Sequence, residues 1–278
     1  MNTHPTIPLA GVIGAPIAHS RSPILHGYWL KKYGIRGEYI PMEISQADLA
    51  EVIRALPKAG FVGVNVTIPH KETVLALADL VTDRAALIGA ANTLIFRKDG
   101  KLHADNTDGY GFIENLRQGA PNWEPRSGPA AVIGGGGAAR AVVASLLEVG
   151  APEVRLSNRT RARADALREE FGAKVTVYEW VQAGNMLEGA ATVVNASSLG
   201  MVGKPEFRIP LDALPSTAVV TDLVYTPLET TFLRHAAEMG ATTVDGLGML
   251  LHQAAPGFER WFGQRPEVDD ALRQVMLR

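Results

Sequence analysis

Residues 129–140 read Pro-Ala-Ala-Val-Ile-Gly134-Gly135-Gly136-Gly137-Ala138-Ala-Arg140, a short apolar run followed by four glycines and a helix-forming segment. Glycine has no Cβ, so the backbone can turn sharply there and come close to a pyrophosphate. The amino end of the following helix would present free N–H groups and a partial positive charge to phosphates. This order of strand, glycine loop and helix predicts a dinucleotide-binding site, with Gly134, Gly135, Gly136, Gly137 and Ala138 as its loop.

The next predicted strand, Glu153 to Leu156, ends close to Asn158, Arg159 and Thr160, and Arg163 follows one helical turn later. An enzyme that uses NAD places an Asp or Glu near this point, where it bonds the ribose 2′-hydroxyl. No acid stands there in this chain. A guanidinium suits a 2′-phosphate that a carboxylate would repel, so the sequence favours NADP(H) over NAD(H).

Short apolar runs alternate with helix-like segments along most of the chain, in both directions from the glycine loop. This βαβ alternation predicts an α/β fold with parallel sheets covered by helices. The pattern also predicts a helix over Lys71 to Leu80 and a hairpin of Ala91–Phe96 with Leu102–Ala104 around Asp99-Gly100. Two helix-like stretches, at 247–262 and 267–277, close the chain without a further strand.

Length, composition and charge exclude several classes of protein. The chain has 278 residues, of which 46% are hydrophobic and 20% charged, and its formal net charge is −2. The length suggests two domains, and the near-neutral charge offers no basic stripe to nucleic acid. Without cysteine, disulfides and thiolate ligands are excluded, and the seven histidines lack metal-ligand spacing. No secretory leader and no apolar run of about 18 residues is present, so we expect a cytoplasmic protein that does not enter a membrane.

Polar residues follow several predicted strands of the amino-terminal half. Ser20 and Ser22 precede a helix that begins with Ser22-Pro23, and two hydroxyls above a helix amino terminus can hold a carboxylate. Thr67 and Lys71 follow a buried-looking strand. Asn92 begins one strand of the hairpin, and Asp108 follows the other. Sites in α/β proteins collect at strand ends, so these positions are candidate substrate contacts.

Eight segments of the chain, in order and at matching spacing, closely resemble the shikimate dehydrogenase family. They are Ser20-Arg-Ser22-Pro23, Asn65-Val-Thr67-Ile-Pro69-His70-Lys71, Ala91-Asn92-Thr93, Asn106-Thr107-Asp108, Gly134 to Arg140, Asn158-Arg159-Thr160, Asn195-Ala-Ser197-Ser198-Leu-Gly200-Met201, and Asp245-Gly246-Leu-Gly248-Met249 through Gln253. Two departures are Gly27, where many members have Asn, and the second glycine of the loop, where Ala is common.

The resemblance implies a role for each matching position. Lys71 and Asp108 would be the catalytic residues at the reacting end of the substrate. The substrate would be bound by Ser20 and Ser22 at its carboxylate, and otherwise by Thr67, Asn92, Tyr225 and Gln253. The 2′-phosphate of NADP would meet Asn158, Arg159, Thr160 and Arg163, and the nicotinamide would lie near Gly246 and Met249.

The resemblance also implies an architecture and a reaction. Residues 1–110 would form an α/β catalytic domain, and residues 111–247 would form a Rossmann-type NADP-binding domain. A helical segment over residues 248–278 would then return to the catalytic domain. The expected reaction is the reversible NADPH-dependent reduction of 3-dehydroshikimate to shikimate, on the route to chorismate and the aromatic amino acids.

Two other functions stay open at this point: a quinate/shikimate dehydrogenase that uses NAD, and a non-catalytic NADP(H) sensor with the same fold. The arginines argue against the first, and the Lys71 and Asp108 pair argues against the second. A related methylene-tetrahydrofolate dehydrogenase could share the architecture, but it has no use for the paired serines. The expected partner is a small-molecule substrate. The sequence leaves the oligomeric state open, and a homodimer is among the assemblies it allows.

Overall fold

The computed structural model describes residues 7–278 and divides into two compact units, 7–107 with 251–278 and 108–250. The junctions expected from the sequence, after residues 110 and 247, each lie three residues from the observed ones. The first six residues of the expected first domain lie outside the described part. Among residues 7–278, no helix has both the length and the apolar composition needed to cross a membrane.

The first unit is built on a six-stranded sheet with the order β2-β1-β3-β5-β6-β4. Its strands are β1 (Leu9–Gly14), β2 (Glu38–Glu43), β3 (Phe61–Val66), β4 (Leu80–Val81), β5 (Thr93–Phe96) and β6 (Leu102–Asp105), and its first helices are α1 (Ser22–Lys32), α2 (Leu49–Ala55) and α3 (Asp83–Ile88). Strand β5 runs antiparallel to both neighbours, and the other pairings are parallel. The predicted hairpin is therefore confirmed.

One helix prediction in this unit is wrong. Residues 71–80 form a 3-10 turn at Thr73–Leu77, followed by strand β4, instead of a continuous helix. Hydrogen bonds from Asp79 N to Leu102 O and from Thr82 N to Ala104 O hold this segment at the edge of β6. Pairing with the sheet satisfies backbone groups that a helix would have paired internally.

The second unit contains an all-parallel sheet with the order β12-β11-β10-β7-β8-β9. Its strands are β7 (Ala130–Ile133), β8 (Val154–Ser157), β9 (Val175–Tyr178), β10 (Thr192–Asn195), β11 (Val219–Asp222) and β12 (Thr242–Val244), and its helices are α4 (Asp108–Gly119), α5 (Gly137–Glu148), α6 (Arg161–Phe171) and α7 (Thr231–Glu238). This strand order is that of a Rossmann fold, which changes winding direction between β7 and β10.

The sequence of β7 is apolar throughout because both faces of the sheet are covered at this strand. Ala130 and Val132 pack into the core under α4, α5 and α6, while Ala131 and Ile133 pack into the core on the opposite face of the sheet. Successive strand residues face opposite sides, and here both sides are covered. Each fully buried Val or Ile contributes about 1.5–3 kcal/mol through loss of apolar surface from water.

The carboxyl-terminal segment consists of α8 (Leu247–Phe262) and α9 (Asp270–Met276). From Leu251 onwards it packs in the first unit, as the resemblance implies. Trp261 Nε1 donates a hydrogen bond to Leu94 O over 3.1 Å, and a Cβ at Gly63 would collide with the same indole. Trp29 Nε1 donates to Glu267 O over 2.9 Å. These contacts fix the end of the chain on the first sheet.

Candidate functional site

The predicted substrate residues of the first unit lie along one edge of its sheet. The parallel strands β1, β3 and β6 end at this edge, and they lead into the segments that contain Ser20 and Ser22, Thr67 and Lys71, and Thr107. Because β5 is antiparallel, its amino end reaches the same edge and brings Asn92 there. The topology of the sheet thus gathers residues that are far apart in the sequence.

Asn92 is the centre of a hydrogen-bonded cluster at this edge. Its Nδ2 donates to Gln253 Oε1 over 3.1 Å, and its Oδ1 accepts from Thr107 N over 2.9 Å. The Thr107 hydroxyl lies 2.8 Å from Gln253 O. Asn92 and Thr107 are buried, and Gln253 is half-buried. The cluster joins two predicted substrate residues, Asn92 and Gln253, that lie 161 positions apart in the sequence.

Lys71 follows β3 and is half-buried. Its carbonyl oxygen accepts from Ala91 N over 2.8 Å, which ties it to the residue before Asn92. The buried His70 ring lies with Nε2 2.7 Å from Ile44 O, and Thr67 N donates to Ile13 O over 2.9 Å. Backbone contacts to β1 and to the residue Ala91, together with the His70 ring, therefore fix the segment that presents Thr67 and Lys71.

Ser20 and Ser22 lie at the amino end of α1, where Arg21 provides no side-chain cap. Ser22 N donates to Ser20 Oγ over 3.3 Å, and both side chains are half-buried. The first turn of a helix has N–H groups without intrahelical partners and a partial positive charge. Two hydroxyls beside such a turn can hold a carboxylate without a cation.

Asp108 is the first residue of α4 and belongs to the second unit. The chain that leads to it is anchored by Asp105, which accepts from Arg84 Nε over 2.7 Å and from Thr82 Oγ1 over 2.8 Å. Burial alone raises the pKa of the Asp105 carboxyl, but the hydrogen bonds from Arg84 and Thr82 outweigh it and hold the pKa below its usual value. Asp105 is therefore a carboxylate at neutral pH.

The second unit has a cleft of about 850 Å³ at the carboxyl ends of its strands, beside the switch point. All five residues of the predicted loop, Gly134 to Ala138, line this cleft. Gly134 has φ +135°, and a Cβ there would lie 2.7 Å from Ala196 O. Gly136 and Gly137 have open space where a Cβ would lie, and no side chain caps the start of α5. This cradle fits a pyrophosphate.

Asn158, Arg159, Thr160 and Arg163 line the same cleft. Arg159 and Arg163 are exposed, and neither forms an ion pair with any residue between 7 and 278. Arg161, between them, pairs with Asp165 at 3.1 Å and with Glu179. No carboxylate occupies the end of β8, which is the position that would bond a ribose hydroxyl. The two unpaired guanidinium groups can hold a phosphate dianion.

The two loops that form the opposite wall of the cleft are joined by a buried polar network. Asn195 Nδ2 donates to Asp222 Oδ1 over 2.9 Å, and Asn195 Oδ1 accepts from Ser197 Oγ over 2.7 Å. Asp222 also accepts from Val224 N over 2.9 Å and from Thr230 Oγ1 over 2.7 Å. The network fixes the starts of both loops, which line the cleft at 196–199, at Met201 and at 223–226.

Burial raises the pKa of Asp222 from its ordinary value of 3.8 to about 6, against the hydrogen bonds from Thr230, Val224 N and Asn195. Between those two pH values the folded protein retains a proton that the unfolded chain has released. The stability that Asp222 contributes is therefore present below pH 4 and lost as the pH rises through 6, by about 3 kcal/mol in total.

We expect Asp222→Asn to abolish this loss, because the amide carries no charge and can still accept from Asn195 and Val224 N while donating to Thr230 Oγ1. The difference in unfolding free energy between variant and parent should move in the variant's favour by about 2–3 kcal/mol from pH 4.5 to pH 8. Urea denaturation at both pH values, followed by circular dichroism, measures this. A difference that is the same at both pH values would contradict the prediction.

The remaining predicted residues occupy different places. Tyr225, predicted to contact substrate, is 39% exposed and lines the cleft of the second unit. Gly246 and Met249 are not among the described residues that line it. A Cβ at Gly246 would lie 2.6 Å from Leu223 O, so Gly246 packs directly behind a residue of the cleft wall. Met249 packs against the core on one face of the sheet.

Sequence reasoning gave no role to several residues of the cleft wall. These are Trp180, Ser198, Lys204 and Thr226. Ser198 falls inside a segment that matches the family, which is a signal that could have identified it, whereas Lys204 lies in an irregular stretch without periodicity. Within residues 7–278, no three His, Cys, Asp or Glu side chains are grouped so that they could hold a metal ion.

Models of three protein families match the chain. Residues 12–94 match the shikimate dehydrogenase substrate binding domain, residues 124–202 match shikimate / quinate 5-dehydrogenase, and residues 246–276 match the shikimate 5′-dehydrogenase C-terminal domain. A shikimate dehydrogenase (NADP(+)) of Cereibacter sphaeroides is 73% identical over 277 residues, which is 100% of this chain and 99% of the relative.

Two solved structures are similar over the full length. The shikimate 5-dehydrogenase of Thermus thermophilus, in complex with NADP(H) and shikimate, is 38% identical with a TM-score of 0.86, covering 98% of this chain and 99% of that one. The quinate dehydrogenase of Corynebacterium glutamicum, in complex with NAD, is 31% identical with a TM-score of 0.89 and the same coverage.

Proposed function

The chain belongs to the shikimate dehydrogenase family, and from this we propose that it catalyses the reversible NADPH-dependent reduction of 3-dehydroshikimate to shikimate. In a cell this reaction serves the pathway to chorismate and the aromatic amino acids. The predictions of the family and of an α/β fold with a Rossmann-type domain are confirmed.

The proposal for NADP(H) is supported most directly by Arg159 and Arg163. Both line the cleft that contains the glycine loop, and both lack an ion-pair partner among the described residues. The 2′-phosphate of NADP is the group that would use them, since NAD offers only a hydroxyl at that position. Gly134 to Gly137 would hold the pyrophosphate, and Gly246 and Met249 would support the nicotinamide end.

The observation that carries the substrate proposal is the cluster of Asn92, Thr107 and Gln253 at the sheet edge that also presents Ser20, Ser22, Thr67 and Lys71. It offers amide and hydroxyl groups suited to several ring hydroxyls beside a carboxylate site. A ligand with one carboxylate, a ring and several hydroxyls matches this set. Tyr225 stays a predicted substrate contact on the strength of the resemblance.

In the proposed mechanism, bound NADPH would supply a hydride for the ketone carbon of the substrate. The Lys71 ammonium stabilises the negative charge that develops on the ketone oxygen and donates the proton that completes the hydroxyl. Asp108 orients the ammonium and shares the hydrogen bond to that hydroxyl. In the reverse direction, neutral Lys71 accepts the hydroxyl proton.

These roles assign substrate binding and cofactor binding to different parts of the chain. We infer that residues 1–110 with 248–278 bind the substrate and that residues 111–247 bind NADP(H). The cytoplasmic location and the homodimer stay predictions.

The assay that tests the function measures the fall in absorbance at 340 nm with NADPH or NADH, each against 3-dehydroshikimate and 3-dehydroquinate. We expect kcat/KM for NADPH with 3-dehydroshikimate to exceed that for NADH by about 100-fold, because two charge-assisted contacts to the 2′-phosphate are lost with NADH. A faster reaction with NADH and 3-dehydroquinate would identify a quinate dehydrogenase. No fall in absorbance with any pair would favour a non-catalytic sensor.

A further inference from the structure

Asn115, on helix α4, is a buried polar residue to which no role has been given so far. Its Nδ2 donates to Asp245 O over 2.7 Å, and this bond identifies the amide nitrogen, because an amide oxygen cannot donate to a carbonyl. Asp245 Oδ1 in turn accepts from Leu247 N over 3.0 Å, at the start of α8. Asn115 therefore holds the turn from which α8 begins.

The amide of Asn115 also packs directly against Gly248, in the first turn of α8. A Cβ at Gly248 would overlap Asn115 Oδ1 and lie 2.7 Å from Asn115 Cγ, and the three atoms nearest to it all belong to Asn115. Gly248 is not among the glycines with positive φ, so its backbone would accept alanine and the contact with Asn115 is what excludes it. The amide cannot turn away without giving up its hydrogen bond to Asp245 O.

The segment fixed in this way, residues 245–249, is called the nicotinamide segment here, because it contains Gly246 and Met249, which are expected near the nicotinamide. Gly246 is held from the other side, since a Cβ there would lie 2.6 Å from Asp222 O and from Leu223 O. The nicotinamide segment is thus enclosed between α4 and the end of β11. Atoms packed this closely transmit a displacement to their neighbours instead of absorbing it.

Helix α4 also carries the proposed catalytic carboxylate. Asp108 is its first residue, and Asn115 follows seven residues later, which is two helical turns, so both lie on the same face of the helix. The helix is itself packed closely on α5, since a Cβ at Gly109 would overlap Ser145 Oγ. One helix therefore sets the position of Asp108 and, through Asn115, that of the nicotinamide segment.

From these contacts we propose that Asn115 is a positioning residue for hydride transfer, which fixes the nicotinamide segment relative to Asp108. This inference rests on the proposed function. Reacting atoms have to approach to about 3–3.5 Å, and a misplacement of 1 Å can cost about 100-fold in rate. The 2′-phosphate end of the cofactor, expected at Arg159 and Arg163, would not depend on Asn115.

The test is Asn115→Ala, which removes the amide from a position where alanine suits the helix. We expect kcat for the reduction of 3-dehydroshikimate to fall about tenfold or more, while KM for NADPH and the affinity for adenosine 2′,5′-bisphosphate stay within about threefold of the parent. That compound has the 2′-phosphate but no nicotinamide, and its binding stoichiometry counts the folded sites. Asn185→Ala is the matched control, because Asn185 is an exposed asparagine of the same unit, and it should leave kcat unchanged.

A double-mutant cycle with Gly248→Ala separates positioning from general destabilisation. In the parent, the new Cβ should displace the Asn115 amide and lower kcat about as much as N115A does. In the N115A background the same Cβ has room, so N115A/G248A should be slower than N115A by less than about twofold.

Three results would overturn the inference while the parent enzyme remains active. They are an unchanged kcat in N115A, effects of N115A and G248A that multiply, and a loss of affinity for adenosine 2′,5′-bisphosphate that matches the loss of kcat. A parent protein that does not reduce 3-dehydroshikimate would instead refute the proposed function and this inference together.

Discussion

Lys71→Met should lower kcat for the reduction of 3-dehydroshikimate by about 10³-fold. Methionine keeps the length of the side chain but has no charge and no proton to give, and a positioned acid of this kind contributes about 10²–10⁴-fold. The charge on the ketone oxygen develops only in the transition state, so we expect kcat to fall far more than KM rises. Steady-state rates at 340 nm with saturating NADPH measure both.

Lys98→Met is the control for this substitution, because Lys98 is an exposed lysine in the turn between β5 and β6 of the same unit. It should keep the rate of the parent. Asp108→Ala should lower kcat in the same direction as Lys71→Met. If either Lys71→Met or Asp108→Ala retained near-normal turnover with an unchanged melting temperature, the assignment of these two catalytic residues would be wrong.

The second large effect concerns the choice between the two dinucleotides. The double substitution Arg159→Ala with Arg163→Ala should raise KM for NADPH by about 100-fold or more, because each arginine offers a charge-assisted contact worth about 1.5–3 kcal/mol. KM for NADH should change by less than threefold, since NADH has no 2′-phosphate. The preference for NADPH would then be largely lost, as measured by the ratio of kcat/KM for the two cofactors.

Arg161→Ala provides a close comparison, because this arginine lies between the other two in sequence but is paired with Asp165 and Glu179. It should leave the preference for NADPH intact. Equal losses with NADPH and NADH in the double variant would show that the arginines support the fold of the cleft and do not recognise the phosphate.

The second unit could be predicted closely from the sequence. Strand β7 occupies the apolar run that precedes the glycine loop, because both of its faces are buried, and helix α6 follows the Asn158-Arg159-Thr160 turn and ends just before Gly172. The sequence pattern does not predict helix α3, although Thr82 caps it, accepting from Ala85 N, and Gly89 ends it with φ +68°. A helix of six residues is too short for its hydrophobic periodicity to be recognised in the sequence, and strand β12, with three residues, is shorter still.

The candidate site shows the same contrast between residues that local motifs identify and residues that only the folded structure brings together. The glycine loop and Arg159 are local motifs, and their chemistry can be deduced from neighbouring residues alone. The link between Asn115 and Asp245, and that between Asn92 and Gln253, depend on strand order and on the return of α8, which no local pattern encodes. Lys204 lines the cleft only because its irregular loop folds back onto it.

The antiparallel direction of strand β5 determines where residues can be inserted into the first unit away from the predicted ligand contacts. Because its amino end supplies Asn92 to the substrate edge, its carboxyl end and the turn through Asp99 and Gly100 lie at the opposite edge of the sheet. The turn is exposed, and its backbone contacts are confined to Arg97, Gly100 and Lys101. Extra residues there would lengthen a solvent-facing hairpin tip far from any predicted ligand contact in that unit. It is a natural position for a tag, a fused domain or an inherited insertion.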